Sequence, residues 1–449
     1  MSKIEKIART AEGIFAVFTI SLFLSSCATL EQINPFGQPR MPAIENEELN
    51  KAWWAYEFKD IQTGETIISE NANKACLPGS NMKLFTFYAA WKVFGDSLSA
   101  GCLYQQRDSL IFIPSGDPGF LYKDLGHDVL LNRLKDSGKE IIFVAWPETD
   151  AEVFGTGWAW DDDGKSFQPG RSPLAIYGGR LSLSKRPNQA PRVPGSLFDD
   201  SYQYLPGSRK TTEIELTKKP FENTIELNRK INKNDSFDLL FSFYPSQELL
   251  LDLLSDTLEK EVETTHYLPY EKDRKCFYRP AQQLYKEMLF ESDNFIAEQL
   301  MFMIGREATG TFSVEEGIRF SRNNLLSEIN SSGMQWVDGS GLSRYNLVSP
   351  ATVSALLCHM SGEMGVEQLK AYLPEGGKEG TIANYYWGDP GYVWAKTGTL
   401  KNNYALSGVL ESRSGRQMAF SIMVNHHTVH RNEIIKAIES MLKHARDEF

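Results

Sequence analysis

A serine and a lysine three positions apart, Ser80 and Lys83, have the types and spacing needed for nucleophilic catalysis. They follow a Pro-Gly turn and open a stretch in which apolar residues recur at helical spacing. Because residues three apart on a helix share a face, the Lys83 amine can reach the Ser80 hydroxyl and act as its base. The free N–H groups of a helix start can also bind a developing oxyanion. The pattern predicts a nucleophile at the start of a helix.

The same Ser-x-x-Lys pattern occurs twice more, without this setting. Ser182 and Lys185 lie in an alternating stretch that predicts a strand, where positions three apart face opposite sides. Ser440 and Lys443 lie in a C-terminal amphipathic segment with no turn before it. A helix-capping serine beside a solvated lysine is the ordinary explanation for any single copy. What distinguishes Ser80 must therefore come from elsewhere in the chain.

Two polar motifs lie far downstream of Ser80. Ser292 to Asn294 falls where a long helical pattern predicts a break between two helices. Lys396 to Thr399 continues a predicted strand, and this Lys-Thr-Gly sequence occurs once in the chain. The first of the two is weak by itself, because Ser321 to Asn323 also reads Ser-x-Asn. The evidence is the order and context of all three motifs together.

In that order, the motifs resemble the signatures of serine penicillin-binding proteins and β-lactamases. Ser80 and Ser292 stand 212 positions apart, which leaves room for a domain-sized insertion. A large insertion at this place is similar to the type-4 low-molecular-mass (class C) penicillin-binding proteins, which are D-Ala-D-Ala carboxypeptidases and endopeptidases. Further stretches similar to that family are Gly116 to Pro118, Gly157 with Trp158 and Trp160, Asp338 to Arg344, Gly380 with Thr381, and Ala395 to Leu400. The chain departs from the family at Gly79, where a small residue such as alanine is frequent.

The resemblance implies an α/β (α+β) fold of the serine β-lactamase/DD-peptidase-like transpeptidase type. An antiparallel sheet would be flanked by helices, with a large β-rich insertion between the first two motifs. Within that insertion, the pattern predicts a βαβ-like unit with strands at 110–113 and 141–146 and a helix over 121–134. The expected segments are a lipoprotein signal peptide at 1–26, a tether at 27–48, a catalytic domain at 49–103 and 271–449, and the insertion at 104–270.

The resemblance also implies a role for each motif residue. Ser80 would attack the peptide, Lys83 would take its proton, Ser292 would relay a proton to the leaving amine, and Asn294 would orient Lys83 and the substrate amide. Burial and the nearby Lys396 would lower the pKa of Lys83. The terminal carboxylate of a D-Ala-D-Ala peptide would bind Lys396, Thr397, Gly398 and Thr399. The backbone N–H groups of Ser80 and Thr399 would form the oxyanion hole, and no metal or organic cofactor is expected.

Three residues outside the motifs are expected to select the peptidoglycan stem. Diaminopimelate ends in both an ammonium and a carboxylate, and the resemblance assigns the ammonium to Asp162, the aliphatic part to Phe167 and the carboxylate to Arg344. The alternative is that Asp161 to Asp163 are surface loop acids and that Phe167 is a core residue.

The N-terminus has the features of an exported lipoprotein. Lys3, Lys6 and Arg9 precede an apolar run at 13–24, which is too short to span a bilayer comfortably. The run ends in Leu-Ser-Ser-Cys, which resembles a bacterial lipobox with Cys27 as the lipidated residue. We therefore expect a membrane-anchored protein that faces the periplasm or cell envelope.

The four remaining cysteines are Cys76, Cys102, Cys276 and Cys358, and none forms a Cys-x-x-Cys pair. Either a Cys76–Cys102 bridge or buried free thiols would suit an exported protein. The chain also has a cluster of histidines at His426, His427 and His430. We expect them to be ordinary loop residues and not a metal site.

Composition narrows the class of partner. A formal net charge of −11 without a basic run argues against nucleic acid. Peptidoglycan peptides, and β-lactams as inhibitors, are the expected ligands. Two other functions compete: a β-lactamase, which lacks support because no Glu-x-x-Leu-Asn deacylation motif is present, and a non-catalytic penicillin-binding sensor, which would not need all the catalytic residues.

Overall fold

The computed structural model describes residues 41–42, 44, 46–122, 125, 129–146, 153–195, 202–204, 213–388 and 391–449. The expected signal peptide, Cys27 and most of the tether lie outside these residues. Among the helices of the described part, none is long and apolar enough to cross a membrane.

The strands are β1 Trp53–Asp60, β2 Thr66–Glu70, β3 Ser97–Gln106, β4 Ser109–Ile113, β5 Ile141–Ala145, β6 Arg180–Lys185, β7 Tyr202–Tyr204, β8 Leu216–Lys218, β9 Ile225–Leu227, β10 Phe237–Ser242, β11 Glu261–Thr265, β12 Lys275–Pro280, β13 Val393–Leu400, β14 Asn403–Glu411 and β15 Gln417–Asn425. The helices are α1 Glu47–Asn50, α2 Met82–Phe94, α3 Val129–Lys135, α4 Gln247–Leu258, α5 Gln282–Phe290, α6 Asn294–Thr309, α7 Val314–Asn324, α8 Pro350–Met364, α9 Val366–Ala371 and α10 Arg431–Glu448.

One antiparallel sheet, in the order β13-β14-β15-β1-β2, joins the two ends of the described chain. Its central strands β14 and β15 are buried almost throughout, because helices cover both faces. One face packs with α2, α5, α6 and α8 in the largest apolar core, and the other packs under α10. The expected antiparallel sheet flanked by helices is confirmed.

A second, mixed sheet forms the body of the insertion, in the order β11-β5-β4-β3-β12. It packs against α3 and α4 in a separate core, which also includes the β6–β10 pair. The chain enters this sheet at β3 and leaves it at β12, and these two strands pair antiparallel. The strands of this sheet therefore lie between residues 97 and 280. Strand β3 crosses the expected domain boundary at residue 103, and β12 begins just after the expected domain boundary at residue 270.

The disulfide joins Cys102 to Cys276, and Cys76 and Cys358 are free. A Cys76–Cys102 bridge is therefore wrong. The physical reason is strand register: Cys102 and Cys276 are directly opposite each other on β3 and β12. Cys76 instead lies buried in the main core.

The βαβ unit of the insertion is confirmed, because β4 and β5 pair in parallel on either side of α3. The helix is shorter than the predicted 121–134. Leu121 has a left-handed backbone (φ 58°), which an α-helix of L-residues does not accept, and α3 begins at Val129.

The predicted break between two helices is also confirmed. Helix α5 ends at Phe290 and α6 begins at Asn294, with the Asp293 side chain accepting the N–H of Ile296 as a cap. Between them, Ser292 adopts φ 61°, an uncommon conformation for a residue with a side chain. The second motif is thus presented on a sharp turn.

Candidate active site

Ser80 lies in a 3₁₀ turn, Gly79–Asn81, directly before α2. Lys83 is in the first turn of α2 and is fully buried, and its Nζ lies 3.0 Å from the Ser80 Oγ. The helix can bury a lysine here because nearly all its other side chains are apolar and enter the main core. The predicted contact between these two side chains is present.

Lys83 has two further fixed partners. Its Nζ donates to the Asn294 Oδ1 at 2.5 Å and to the backbone carbonyl of Ser340 at 2.6 Å. The first contact brings the second motif to the first. The second comes from the loop after α7, which the sequence assigned to no catalytic role.

Burial lowers the pKa of Lys83 to about 8. The carboxylates of Asp338, Glu298 and Asp293 oppose the shift, because each favours the charged amine. Burial, rather than Lys396, is therefore the main cause of the expected shift.

Lys396 completes a second lysine–serine pair. Its Nζ donates to the Ser292 Oγ at 2.8 Å and to the Thr397 carbonyl at 2.9 Å. Burial and the proximity of Lys83 hold the pKa of Lys396 well below its ordinary value, while Glu291 opposes this. The Lys396 side chain is thus buried and hydrogen-bonded inside the protein. It does not extend into the cavity that Ser80 lines, where it was expected to bind the substrate carboxylate.

Three glycines allow the Ser80 turn to press against β13. A Cβ on Gly79 would lie 2.8 Å from the Thr399 backbone nitrogen, and a Cβ on Gly398 would lie 2.1 Å from the Pro78 carbonyl. Gly341 packs on the other side, where a Cβ would be 2.0 Å from the Gly79 carbonyl. The turn and the strand are therefore close enough for the N–H groups of Ser80 and Thr399 to face one site.

These groups open on a cavity of about 830 Å³. The motif residues on its wall are Ser80, Ser292, Asn294, Thr397 and Thr399, and the three specificity residues Asp162, Phe167 and Arg344 line it as well. Lys83, Lys396 and Gly398 lie behind this wall. The structure thus brings together the residues that the sequence selected.

The acidic segment is divided between the cavity and the core. Asp162 lines the cavity, with its pKa raised by burial and by Asp161, and lowered in part by Arg344 and Lys165. Asp163 is buried and pairs with Lys218 at 2.9 Å. Phe167 is 47% exposed and faces the cavity, so the alternative of a core phenylalanine is excluded.

Comparison with known proteins identifies the family. The family model described as "D-Ala-D-Ala carboxypeptidase 3 (S13) family" matches residues 42–445. This chain belongs to that family. It is therefore a serine DD-peptidase and a hydrolase of the penicillin-binding type.

Relatives match over most of their length. A D-alanyl-D-alanine carboxypeptidase from an Actinomadura species is 27% identical over 432 residues, covering 86% of this chain and 80% of the relative. Penicillin-binding protein 4 from Haemophilus influenzae has the same fold, with a TM-score of 0.71 at 20% identity over 90% of this chain and 96% of that one. The same protein complexed with a β-lactam gives a TM-score of 0.66 at 19% identity, over 91% and 98%.

Sequence reasoning missed a buried ion pair that holds the Lys83 pocket of this DD-peptidase. Glu298 on α6 binds Arg171 of the insertion through one oxygen, at 2.6 and 2.9 Å, and accepts the Ser340 N–H at 2.7 Å through the other. The Ser340 carbonyl is thereby aimed at Lys83. A charged residue inside the apolar pattern of α6 was the available signal.

Asp338 organises the adjoining loop in the same way. Its carboxylate accepts the Gly341 N–H at 2.8 Å, the Ser343 N–H at 2.5 Å, the Asn346 amide at 2.7 Å and the Trp158 indole N–H at 2.8 Å. Burial and the nearby Glu298 raise the pKa of Asp338. Two stretches of the sequence that resembled the family, 157–160 and 338–344, thus form one structural unit.

The insertion also holds the second motif. Asp293 accepts hydrogen bonds from Tyr122 at 2.9 Å and from Arg180 at 2.5 Å. The Asn294 side-chain amide donates to the Phe167 carbonyl at 2.6 Å. The carboxamide of Asn294 is therefore fixed with its oxygen towards Lys83, and the predicted orienting contact is present.

The histidine cluster has a structural use at one position. The Nδ1 of His430 accepts the N–H of Asn432 and caps α10. No group of three metal-binding side chains occurs in the part of the chain that the structure describes.

Proposed function

We propose that this DD-peptidase cleaves peptidoglycan stem peptides and crosslinks through an ester on Ser80. The observation that carries the proposal is the pairing of two lysine–serine contacts on one cavity, Lys83 with Ser80 at 3.0 Å and Lys396 with Ser292 at 2.8 Å. Such a pair supplies a base for the attacking oxygen and a donor for the leaving nitrogen.

Lys83 is oriented as the base. A neutral amine has two N–H donors and one lone pair, and the Asn294 oxygen and Ser340 carbonyl take the two donors. The lone pair is then left for the Ser80 hydroxyl proton. With a pKa of about 8, a useful fraction of Lys83 is neutral near neutral pH.

The proposed reaction moves one proton from Ser80 to the leaving amine. The Ser80 oxygen bonds to the carbonyl carbon and its proton moves to Lys83. When the carbon–nitrogen bond breaks, Ser292 gives a proton to the leaving amine and regains one from Lys396, its hydrogen-bond donor. The proton that Lys83 took from Ser80 replaces the one that Lys396 gave. Water then attacks the ester, releases the peptide acid and returns the proton to Ser80.

The third motif binds the substrate backbone and its terminal carboxylate. The hydroxyls of Thr397 and Thr399 lie on the cavity wall, and the flat backbone of Gly398 allows the close approach of the Ser80 turn. The N–H groups of Ser80 and Thr399 stabilise the oxyanion, each contributing about 3 kcal/mol to the transition state. Lys396 contributes through its hydrogen bond to Ser292.

Ser80→Ala tests this mechanism directly. We expect loss of both fluorescent-penicillin labelling and D-Ala release from a pentapeptide, because the Ser80 hydroxyl is the group that forms the ester. Ser440→Ala is the matched control, since Ser440 belongs to another Ser-x-x-Lys copy and is exposed on α10. Hydrolysis retained by Ser80→Ala would sink the mechanism.

We propose further that Asp162, Phe167 and Arg344 select diaminopimelate. The support is that all three line the cavity that contains Ser80, and that the charges of Asp162 and Arg344 influence each other. Arg344→Gln should reduce kcat/KM for diaminopimelate stems and spare lysine stems, which lack the second carboxylate, whereas Asp162→Asn should reduce kcat/KM for both stems, because both present an ammonium. Unchanged kcat/KM values in Asp162→Asn would remove Asp162 from this role.

Export and lipidation at Cys27 complete the proposal. The lipobox-like sequence supports it, and so does the Cys102–Cys276 disulfide, because such bonds persist in oxidising compartments. Cys27→Ser should move the protein from the membrane fraction of bacterial cells to the soluble fraction. A protein that stays in the membrane fraction after this change would contradict the lipid anchor.

A further inference from the structure

One part of the cavity wall has no use in the mechanism above. It lies beyond β13, and we call it the α10 wall. Its residues are Thr381, Tyr385, Tyr404, Arg431 and Ile435.

The α10 wall adjoins the third motif. The Thr381 hydroxyl is 2.8 Å from the Thr397 hydroxyl, and Tyr404 is directly opposite Thr399 in the β13–β14 register. Tyr385 follows Thr381 by one turn, and its hydroxyl is 3.5 Å from the Arg431 guanidinium. A ligand that reaches Thr397 therefore has this wall as its next contact.

Arg431 gives the wall a permanent positive charge. Its side chain is exposed to the cavity, and it forms no ion pair with another described residue. Lys396 differs, because it is buried, bonded within the protein and has a lowered pKa. A guanidinium beside a tyrosine hydroxyl is suited to bind a carboxylate in two-point contact.

The chemistry of the two substrates explains why a second carboxylate site is useful. A pentapeptide releases one D-Ala, whose single carboxylate is taken by Thr397 and Thr399 in the proposed function. A crosslink instead releases a whole second stem. The carbon that bears the leaving amine of this stem also carries a carboxylate. From that carbon, an aliphatic chain leads to a peptide that carries another carboxylate.

We infer that Tyr385 and Arg431 bind the far carboxylate of the departing stem. This subsite rests on the proposed function and makes the crosslink the substrate for which the cavity is built. Asp162 and Arg344 then contact the stem that is acylated, and the α10 wall contacts the stem that leaves.

The test compares two substrates in one set of variants. For Arg431→Gln, the ratio of kcat/KM for a purified crosslinked dimer to kcat/KM for a pentapeptide should fall about 10- to 100-fold, the loss typical of a charge-assisted hydrogen bond. Arg431→Lys should recover part of it. Lys436→Gln removes a charge from the exposed side of the same helix and should leave the ratio unchanged.

Labelling with fluorescent penicillin checks that each variant has an intact Ser80 site. An unchanged ratio in labelled Arg431→Gln, or an equal loss on both substrates, would overturn the subsite and leave the acyl-enzyme mechanism standing. A wild-type protein that is neither labelled nor active on the pentapeptide would instead overturn the proposed function itself.

Discussion

At the scale of single residues, the site depends on two lysines that are kept out of water. Removing an amine from water favours its neutral form, and for Lys83 this outweighs the three carboxylates nearby. Those carboxylates have a second use, since Asp338 and Glu298 hold the loop that carries the Ser340 carbonyl. The same groups therefore set both the geometry and the basicity of Lys83.

The lowered pKa of Lys83 predicts how acylation depends on pH. The base is the neutral amine, which exists above its pKa, so the second-order rate of penicillin acylation should rise about tenfold per pH unit and level off near pH 8. Stopped-flow labelling from pH 5 to pH 10 measures this, with thermal unfolding at each pH as the control for stability. A rate that still rises tenfold between pH 9 and pH 10 would mean that Lys83 has an ordinary pKa.

At the scale of elements, the site is a contact between the start of α2 and strand β13. Helices commonly begin with a side-chain cap, but this one begins with a turn in which Gly79 has φ 53° and touches the Thr399 backbone. This conformation explains why position 79 is glycine in this chain, where the family often has a small residue such as alanine. The close approach brings Ser80 to the strand.

Gly79→Ala should therefore damage the site more than the fold. The added Cβ meets backbone atoms at 2.8 Å, so the turn must move away from β13, and we expect penicillin acylation to fall by at least tenfold. Gly95→Ala is the matched control, because Gly95 has a similar φ of 58° at the other end of α2 and open space around it. Both should lose on the order of 1–3 kcal/mol of stability through backbone strain. Equal acylation by the two variants would contradict this contact.

At the scale of the whole molecule, the insertion is a structural part of the active site. It supplies Arg171 to Glu298, Arg180 to Asp293 and the Phe167 carbonyl to Asn294. Its own ends are fixed by the β3–β12 pairing and by the disulfide across it. Changes in the insertion are therefore transmitted to the second motif.

Removing the Cys102–Cys276 disulfide should lower the free energy of unfolding by about 2–5 kcal/mol, because the bond closes a loop with a sequence separation of 174. Urea unfolding of the Cys102→Ala/Cys276→Ala double variant measures this. Cys358 is a free thiol, so Cys358→Ala keeps the disulfide and serves as the control. Reductant should destabilise the wild type and Cys358→Ala, and should not affect the double variant. Equal sensitivity to reductant in all three proteins would argue against the bond.

The sequence by itself determined the catalytic constellation and the architecture that carries it. Ser80, Ser292 and Lys396 were identifiable because three short motifs occur in the order and context that resemble the penicillin-binding proteins. The strands and helices that hold them followed from the same local patterns. Even the break at Ser292 was predictable, since it interrupts a long helical repeat.

Tertiary structure alone decided which distant residues meet. The pairing of Cys102 with Cys276 depends on strand register across the insertion, and the ion pair of Glu298 with Arg171 depends on packing between two cores. Leu121 shows the same limit locally, because its left-handed backbone overrides a helical pattern. Contacts of this kind depend on how elements pack in three dimensions, which the periodicity of one segment does not encode.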